Sequence, residues 1–500
     1  MFLKAIMDYK TFEELSGQFN YVPVFERITA DLLTPVSAYL KIRQEKGTSF
    51  LLESVERIGR LSRYSFIGFD PIEIISNHHL DITIKKGDAV ETISNNLFDY
   101  LQKKIKEFNY PQIEELPYFT GGIVGYIGFE NMSLIEDVLE FKYNGLPFPD
   151  SILGFYKTII AFDHFKHQII LITNVQTTDC HSDAESPTKY KEAKAELKRI
   201  KEILAKPINY KSDFHADPSI LSKESENEFC RLVSEGKKNI YSGDIFQIVL
   251  SRRFEAEYKG DTFNVYRSLR MINPSPYMYY MEFENDLKVI GTSPEDLLKV
   301  KNNKAEILPI AGTRRRGKTE VEDKKLEDDL MNDPKEIAEH VMLVDLARND
   351  LGRVCQFNSI RLSEYMKVSR FSHVMHIVSR VEGELREDAD CIDALKASFP
   401  AGTVSGAPKI KAVQLISEYE KMSRGVYAGA VGYIDFSDNL DMCIAIRTLF
   451  ADKEKIYWQA GAGIVADSVP ELELKEIKNK SAVMISALKL AEVIDENLSD

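Results

Sequence analysis

Cysteine is scarce: Cys180, Cys230, Cys355, Cys391 and Cys443 are the five in 500 residues, widely spaced and without a C-x-x-C pair. That excludes a disulfide framework or a structural zinc cluster and fits a reducing, cytoplasmic setting. Positive charge is also short. The 64 Lys and Arg face 78 Asp and Glu, for a formal net charge of −14, so no cationic excess exists to neutralise nucleic acid or anionic lipid, and neither is expected as a partner. A local cation can still reverse the field at one site, which leaves an anionic small molecule open. No apolar run reaches the ~20 residues that span a bilayer, and MFLKAIMDYKTFEEL turns acidic too early for a secretory signal. No G-x-S-x-G, H-E-x-x-H or G-x-C-x-G motif is present. What remains is a globular composition, 44% hydrophobic and 28% charged, long enough for about two to four domains or one composite fold.

Residues 1–175 read as mixed strands and helices. SRYSFIGFD, GGIVGYIGFE and HQIILITNV alternate or run apolar between Gly, Pro and Asp punctuation, the pattern of strands. Residues 176–188 read as an exposed loop, 188–205 as a charged helix, and 206–225 as a linker dividing an N-terminal domain, 1–220, from a catalytic domain, 221–500. Beyond it, Phe229, Leu232, Val233 and Ile240 mark one helical face, and helices are expected at 334–350, 389–399, 408–422 and 470–490. IFQIVLSRRFEAEY, YMYYMEF, LLKVKNNKAEIL, AGAVGYIDF, DMCIAIRTLFA and KIYWQAGAGIV read as strands. Several sit as adjacent hairpin-like pairs, so an antiparallel sheet is expected over βαβ repeats.

Two glycine motifs mislead. GTRRRGKT, Gly312 to Thr319, has the spacing of a phosphate loop, but three arginines fill a turn that needs small residues, and the following EVEDKKLEDDL has no apolar stripe wide enough to bury on a sheet. GAGIVA, Gly461 to Ala466, has the dinucleotide spacing, yet the next helix starts only at Pro470. Its glycines admit close backbone approach to a ligand or merely an irregular strand.

The carboxylates carry more. Glu336 and Glu339 share a face of the helix opened by Asp333-Pro334, and Glu473, Glu476 and Lys480 share a face of the last helix. Two such pairs can grip a hard cation through oxygen; the same spacing also suits a capping-box Glu at 336 and a solvated helix face. FPAGTVSGAPK feeds a helix at Pro408, with Thr403 and Ser405 hydroxyls and free N–H groups that suit a carboxylate or an ordinary connection. His376 lies in the apolar VMHIV. Arg447 interrupts CIAIRTLF and needs an anionic partner.

Together SGDIFQIVLS, NPSPYMYY, GTSPE, PIAGTRRRG, NDPKEIAEHVMLVDLARNDLGRV, FPAGTVSGAPK, YAGAVGY, AIRT, GAGIVADS and the E-x-x-E-x-x-NK of the last helix resemble the chorismate-utilising enzymes. The resemblance is nearest to those that form anthranilate, and it is densest after residue 226. It implies an α+β fold, a large antiparallel β-sandwich core flanked by helices with N- and C-terminal parts interleaved. It also implies Mg²⁺ held among Glu336, Glu339, Glu473 and Glu476. Thr403 and the backbone near Gly461 and Gly463 would seat the ring carboxylate end of chorismate, Tyr427 and Arg447 would hold the enolpyruvyl carboxylate, and Lys480, Gly312 and Thr313 would add substrate contacts. Glu295 would be the general acid, and His376 would assist pyruvate elimination. Relatives that add water carry Lys where this chain has Gln247, and most aminodeoxychorismate synthases carry Lys where it has Ala311. A primary amine at either place activates water or attacks the ring; its absence points to ammonia as nucleophile and anthranilate as product. Glu53, Ser54, Pro276, Tyr277 and Met278 resemble a feedback site for tryptophan. With no glutaminase motif in the chain, ammonia would come from a separate glutamine amidotransferase subunit, in a hetero-oligomer, or from solution. Aminodeoxychorismate formation and a tryptophan-binding subunit without catalysis stand as alternatives.

Overall fold

The computed structural model describes all residues except 1–5, 46, 55–62, 142–145, 178–184, 209, 211–212, 218–220, 223–224, 371–373 and 496–500. Every ladder between its strands is antiparallel, and the strands form two large sheets. The first runs Tyr21–Thr29, Gln168–Gln176, Thr158–Asp163, Tyr64–Phe69, Ser49–Glu53, Tyr277–Glu282, Lys288–Ser293, Thr448–Ala451, Lys455–Ile464, Gln247–Lys259. The second runs Ile310–Arg315, Val374–Glu384, Lys304–Ile307, Asp296–Lys301, Leu440–Ile444, Ala430–Asp435, Gly122–Ile127, Ser151–Tyr156, Glu73–His78 and onward.

Each sheet therefore draws strands from both sides of residue 220. In the first sheet the two halves meet where Glu53 pairs with Met278; in the second, where Ile127 pairs with Ala430. This is the interleaving the family resemblance implies. The linker is itself partly sheet, since His215–Ala216 and Leu221–Ser222 pair with Gln247–Lys259.

Aromatic rings join the two inner faces. Phe50 of the first sheet meets Tyr156 of the second edge-on at 4.7 Å, and Phe66 meets Tyr433 at 6.5 Å, geometries that add to simple burial. Gly68 makes room for the first contact: a Cβ there would lie 2.2 Å from the Phe50 ring. Helices cover the outside. Pro470–Val493 packs on Lys455–Ile464 and against Glu226–Tyr241, and Pro334–Gly352 packs on Ile310–Arg315 and Val374–Glu384. The single tryptophan, Trp458, is wholly buried between strand and last helix, donating to Ser481 Oγ at 2.7 Å.

Helix termini follow the expected chemistry. Asp333 caps Pro334–Gly352 by accepting from the Lys335 and Glu336 amides, with Pro at the first position. Glu185–Ala205, Cys391–Ser398, Lys409–Tyr419 and Pro470–Val493 fall where helices were expected. Of the loop expected at 176–188, residues 178–184 lie outside the described residues.

Three readings need correction. LLKVKNNKAEIL is a hairpin, Asp296–Lys301 and Lys304–Ile307, turning on Asn302 and Asn303 with φ of 51° and 63°. DMCIAIRTLFA is two strands in different sheets, Leu440–Ile444 and Thr448–Ala451. EVEDKKLEDDL forms the helix Glu320–Met331, and Leu326, Leu330 and Met331 do bury against Met375 and Ile377. No phosphate loop results, because acidic side chains of that helix already occupy the turn: Asp323 accepts from the Gly317 amide at 2.8 Å and Glu322 from the Lys318 amide at 2.8 Å.

A chain cut at residue 220 would leave both sheets incomplete. Expressed alone, 221–500 is predicted to show no cooperative melting transition by circular dichroism; a sharp transition in that fragment would contradict the interleaved core.

Candidate active site

The chain changes sheets twice at one place. Lys288–Ser293 belongs to the first sheet and Asp296–Lys301 to the second, so Pro294 and Glu295 form the crossing. Pro294 has no amide hydrogen and cannot continue the first ladder. Leu440–Ile444 and Thr448–Ala451 cross the other way beside it, through 445–447. The crossings are bonded together: the Ile444 amide donates to Glu295 O at 3.0 Å, the Thr292 amide to Arg447 O at 3.1 Å, and Ser293 Oγ to Ile444 O at 2.7 Å. Glu295 and Arg447 thus emerge where the sheets part.

Both side chains are strained in chemically useful ways. Burial pushes the Glu295 carboxyl up to about 7; neighbouring Asp296 adds to the shift, while the Thr403 hydroxyl and Lys480 oppose it. Thr403 Oγ1 is itself buried without a hydrogen bond of ordinary geometry. Arg447 takes a left-handed backbone, φ 52°, at a cost of ~1–3 kcal/mol. Burial lowers its pKa, and no ion pair or side-chain hydrogen bond satisfies its guanidinium among the described residues. A buried cation without a partner is expensive, and an anionic ligand would relieve it.

The glycine strand Lys455–Ile464 forms one wall. A Cβ on Gly461 would lie 2.5 Å from Tyr427 Oη, and one on Gly463 2.5 Å from Gln247 Nε2, so only glycine lets these side chains reach the strand. Gln247 is the first residue of Gln247–Lys259, and its Oε1 is buried without a partner. Lys480 donates to Gly461 O at 2.8 Å and pairs with Glu476 at 2.7 Å. FPAGTVSGAPK becomes a short helix, Gly402–Ser405, then a bridge at Gly406–Ala407, then the helix Lys409–Tyr419. Lys409, which the sequence did not mark, ties this segment to the Pro334–Gly352 helix by donating to Asp350 at 2.9 Å.

His376 pairs in register with Thr313. Its Nδ1 lies 2.9 Å from Gly312 O and 3.1 Å from Thr313 Oγ1. A carbonyl only accepts, so Nδ1 carries the proton, and in the neutral ring Nε2 keeps its lone pair. Gly312 makes this possible with φ 71°.

The four glutamates come from two distant helices and feel one another. Burial raises the Glu339 pKa, and the charges of Glu336 and Glu476 raise it further, against Lys335 and Lys480. Burial likewise raises that of Glu473, with Glu476 adding to it against Ser468, Lys335 and Lys480. Lys480 thus acts on Glu295, Glu339 and Glu473 alike. Two of the set are turned aside: Glu476 to Lys480, and Glu336 to Arg314 at 3.1 Å. Among the described residues no three His, Cys, Asp or Glu side chains close around a point as metal ligands do. The donor chemistry fits a hard divalent cation, because like charges held together in a half-buried space are relieved by one.

Glu53, Ser54, Pro276, Tyr277 and Met278 all line a second, larger cavity of about 980 Å³. Glu53 does not offer it a free carboxylate. Tyr266 Oη donates to Glu53 at 2.6 Å and Arg270 Nε at 2.9 Å. Tyr277 Oη donates to Asp441 at 2.7 Å. Asp296 and Leu308 line both this cavity and a small one of about 40 Å³ beside Glu295 and Thr403, so the two regions share a wall.

A buried acid and a buried guanidinium thus stand where the two sheets part, the kind of setting in which an enzyme can meet an anionic small molecule. The family model for chorismate binding enzymes matches residues 49–486, and the chain belongs to that family. It is 41% identical to anthranilate synthase component 1 of Acetivibrio thermocellus, over 97% of this chain and 99% of that one, and 41% identical to that of Aquifex aeolicus, over 97% and 98%. Among solved structures it is similar to anthranilate synthase component I from Streptococcus pneumoniae, with TM-score 0.76 and 35% identity over 92% of this chain and 99% of that one. The menaquinone-specific isochorismate synthase of Escherichia coli shares the fold, with TM-score 0.70 at 19% identity over 96% and 98%.

A carboxyl whose folded pKa is raised stabilises the fold below its ordinary value and loses that contribution as pH climbs through the raised one. For Glu295, raised to about 7, the window lies between an ordinary carboxyl and pH 7. The Glu295→Gln variant should therefore gain stability relative to the parent between pH 5 and pH 8, by ~1–3 kcal/mol. Urea unfolding at the two pH values measures this; an unchanged difference would place the carboxyl in ordinary solvent.

Proposed function

We propose that the chain forms anthranilate from chorismate and ammonia, releasing water and pyruvate, as the large subunit of an anthranilate synthase. The observation that carries the reading is 41% identity over nearly the whole chain to proteins of that name, joined to Gln247 and Ala311 at the positions where water-adding and aminodeoxychorismate-forming relatives carry lysine.

Glu336, Glu339, Glu473 and Glu476 would hold Mg²⁺, which when bound supplies Lewis-acid charge for the ring carboxylate. The rest is done by the chain. Lys480, Thr403, Gly312, Thr313 and the backbone at Gly461 and Gly463 seat the ring end. Arg447 and Tyr427 Oη take the enolpyruvyl carboxylate, giving the buried guanidinium its counter-charge. Glu295 is protonated below pH 7 and gives its proton to the C4 hydroxyl, which leaves as water while ammonia adds at C2. Gln247, lacking a basic amine, does not activate water and leaves that face to ammonia. His376 presents Nε2 to take the C2 proton as the C3–O bond breaks, pyruvate departs and the ring becomes aromatic.

Ammonia would be delivered by a separate glutamine amidotransferase subunit, making the working assembly a cytoplasmic hetero-oligomer. The larger cavity is the place for L-tryptophan as feedback inhibitor. Tyr277, Met278, Pro276 and Ser54 line it, and Glu53 meets the amino group only after releasing Arg270. Asp296 and Leu308, shared with the Glu295 cavity, carry the signal.

Purified protein given chorismate, ammonium and Mg²⁺ should produce fluorescent anthranilate with equimolar pyruvate, lose activity in EDTA, and be inhibited by ~1 mM L-tryptophan. An aminated product without pyruvate would transfer the reading to aminodeoxychorismate synthase. Glu295→Gln should lower kcat by ~10²–10⁴-fold, and the parent kcat/KM should fall as pH rises through about 7. A rate that falls already near pH 5 would remove Glu295 as the acid. Arg447→Ala should raise the chorismate KM ~10–100-fold, the worth of a charge-assisted contact.

A further inference from the structure

Strand Gln247–Lys259 is paired along one edge by Lys455–Ile464. Its other edge, among the described residues, is covered in pieces: Gly406–Ala407 pairs with Gln247 and Ile248, Leu221–Ser222 with Phe254 and Glu255, and His215–Ala216 with Tyr258 and Lys259. Between them, among the described residues, no strand reaches Val249 or Ser251. An ion pair fills the gap. Arg424 Nη2 donates to Val249 O at 2.8 Å, and Glu420 Oε1 accepts from the Ser251 amide at 2.8 Å and from Ser251 Oγ at 2.9 Å. Arg424 and Glu420 are joined to each other by two bonds of 2.7 Å. One donor and one acceptor are thus presented to alternate residues on one edge, as a neighbouring strand would present them.

The two residues so held lie directly opposite the substrate glycines. Val249 pairs with Gly463 and Ser251 with Gly461. A third arm of the same guanidinium, Nη1, donates to Val404 O at 2.7 Å, beside Thr403, and its Cζ stands 5.7 Å over the Tyr427 ring. The N-terminal half secures the base of the clamp: Glu130 accepts from the Arg424 amide at 2.6 Å and the Gly425 amide at 2.9 Å. Both charged side chains are almost fully buried, 1% and 4% exposed. A buried ion pair is poor value as a stabiliser, because apolar residues of the same volume do as well or better. Its use here lies in geometry: one rigid planar group ties two backbone segments, at Val249 and Val404, to the Glu420 carboxylate and lies over the Tyr427 ring.

We propose that Arg424 and Glu420 are positioning residues for the chorismate site, a side-chain clamp in place of a strand that sets the spacing of the glycine wall, the Thr403 turn and Tyr427. The proposal rests on the chorismate reading above, and the test separates the two. Steady-state kinetics are run on the full chain, Arg424→Lys and Glu420→Gln with Mg²⁺, varying chorismate and ammonium separately and following anthranilate fluorescence. Lysine keeps the charge but cannot reach three acceptors at once. Arg424→Lys should melt cooperatively and show a chorismate KM raised at least ~10-fold, the worth of one charge-assisted hydrogen bond. Its kcat should change less than ~3-fold and its ammonium KM less than ~2-fold, about 0.7 and 0.4 kcal/mol. Glu420→Gln, which keeps shape and one acceptor, should shift the same way by a smaller factor, and it decides the matter if the lysine variant does not fold. Variants that fold but keep the parent chorismate KM overturn the clamp, as does a loss confined to kcat. Failure of both to fold also overturns it, leaving a purely structural pair. A parent protein that makes no anthranilate from chorismate sinks the functional reading instead.

Discussion

The paired crossing of two strands from one sheet to the other is the constraint from which the site follows. Where Ser293–Pro294–Glu295 and Ile444–Arg447 leave their ladders, each gives up regular partners, and the losses are made good by bonds between the two crossings. Backbone amides are almost never left unsatisfied inside a protein, so neither crossing can exist alone. The result is a gap between the sheets with an acid on one strand and a guanidinium on the other. Among the described residues neither side chain has a protein counter-charge at hydrogen-bonding distance, and the pKa of each is displaced by burial. A sandwich whose strands stayed in their own sheets would fill that space with apolar side chains.

Around the gap, the helices contribute mostly negative charge. Glutamates of Pro334–Gly352 and Pro470–Val493 influence one another, and the pKa values of Glu339 and Glu473 rise because burial disfavours their charged forms and like charges stand nearby. Such an arrangement costs stability, and a bound cation would relieve it. The same tension recurs at Glu53, whose carboxylate is held by Tyr266 and Arg270 on the wall of the larger cavity. A ligand ammonium there would compete with an internal guanidinium.

Local chemistry was legible in the sequence and long-range geometry was not. Asp333-Pro334 announces a helix, and that helix carries Glu336 and Glu339 on one face, because capping and periodicity are properties of neighbouring residues. Gly461 and Gly463 could be marked as points of close approach, but not what approaches: Gln247 is brought to Gly463 by strand pairing across some two hundred residues, and Tyr427 reaches Gly461 from outside any strand. CIAIRTLF reads as one strand because apolar periodicity is unaffected by a change of sheet; only the left-handed backbone of Arg447 betrays it. EVEDKKLEDDL looked too polar to pack, yet three apolar side chains suffice on a small helix over a sheet edge. Arg424 and Glu420 carried no signal, since KMSRG has the composition of an exposed turn and their burial depends on Ser251, Val249 and Val404 arriving from elsewhere. The interleaving of the two halves entered through family resemblance, as no local pattern encodes which distant strand becomes a neighbour.

The most direct measurement is a crystal structure of the protein with Mg²⁺ and a chorismate analogue whose enolpyruvyl group cannot eliminate. The account predicts the ion between the two glutamate-bearing helices, the side-chain carboxylate on Arg447 and Tyr427, and Glu295 within hydrogen-bond reach of the C4 oxygen. An analogue seated elsewhere, with Arg447 unengaged and the four glutamates left apart, would contradict it.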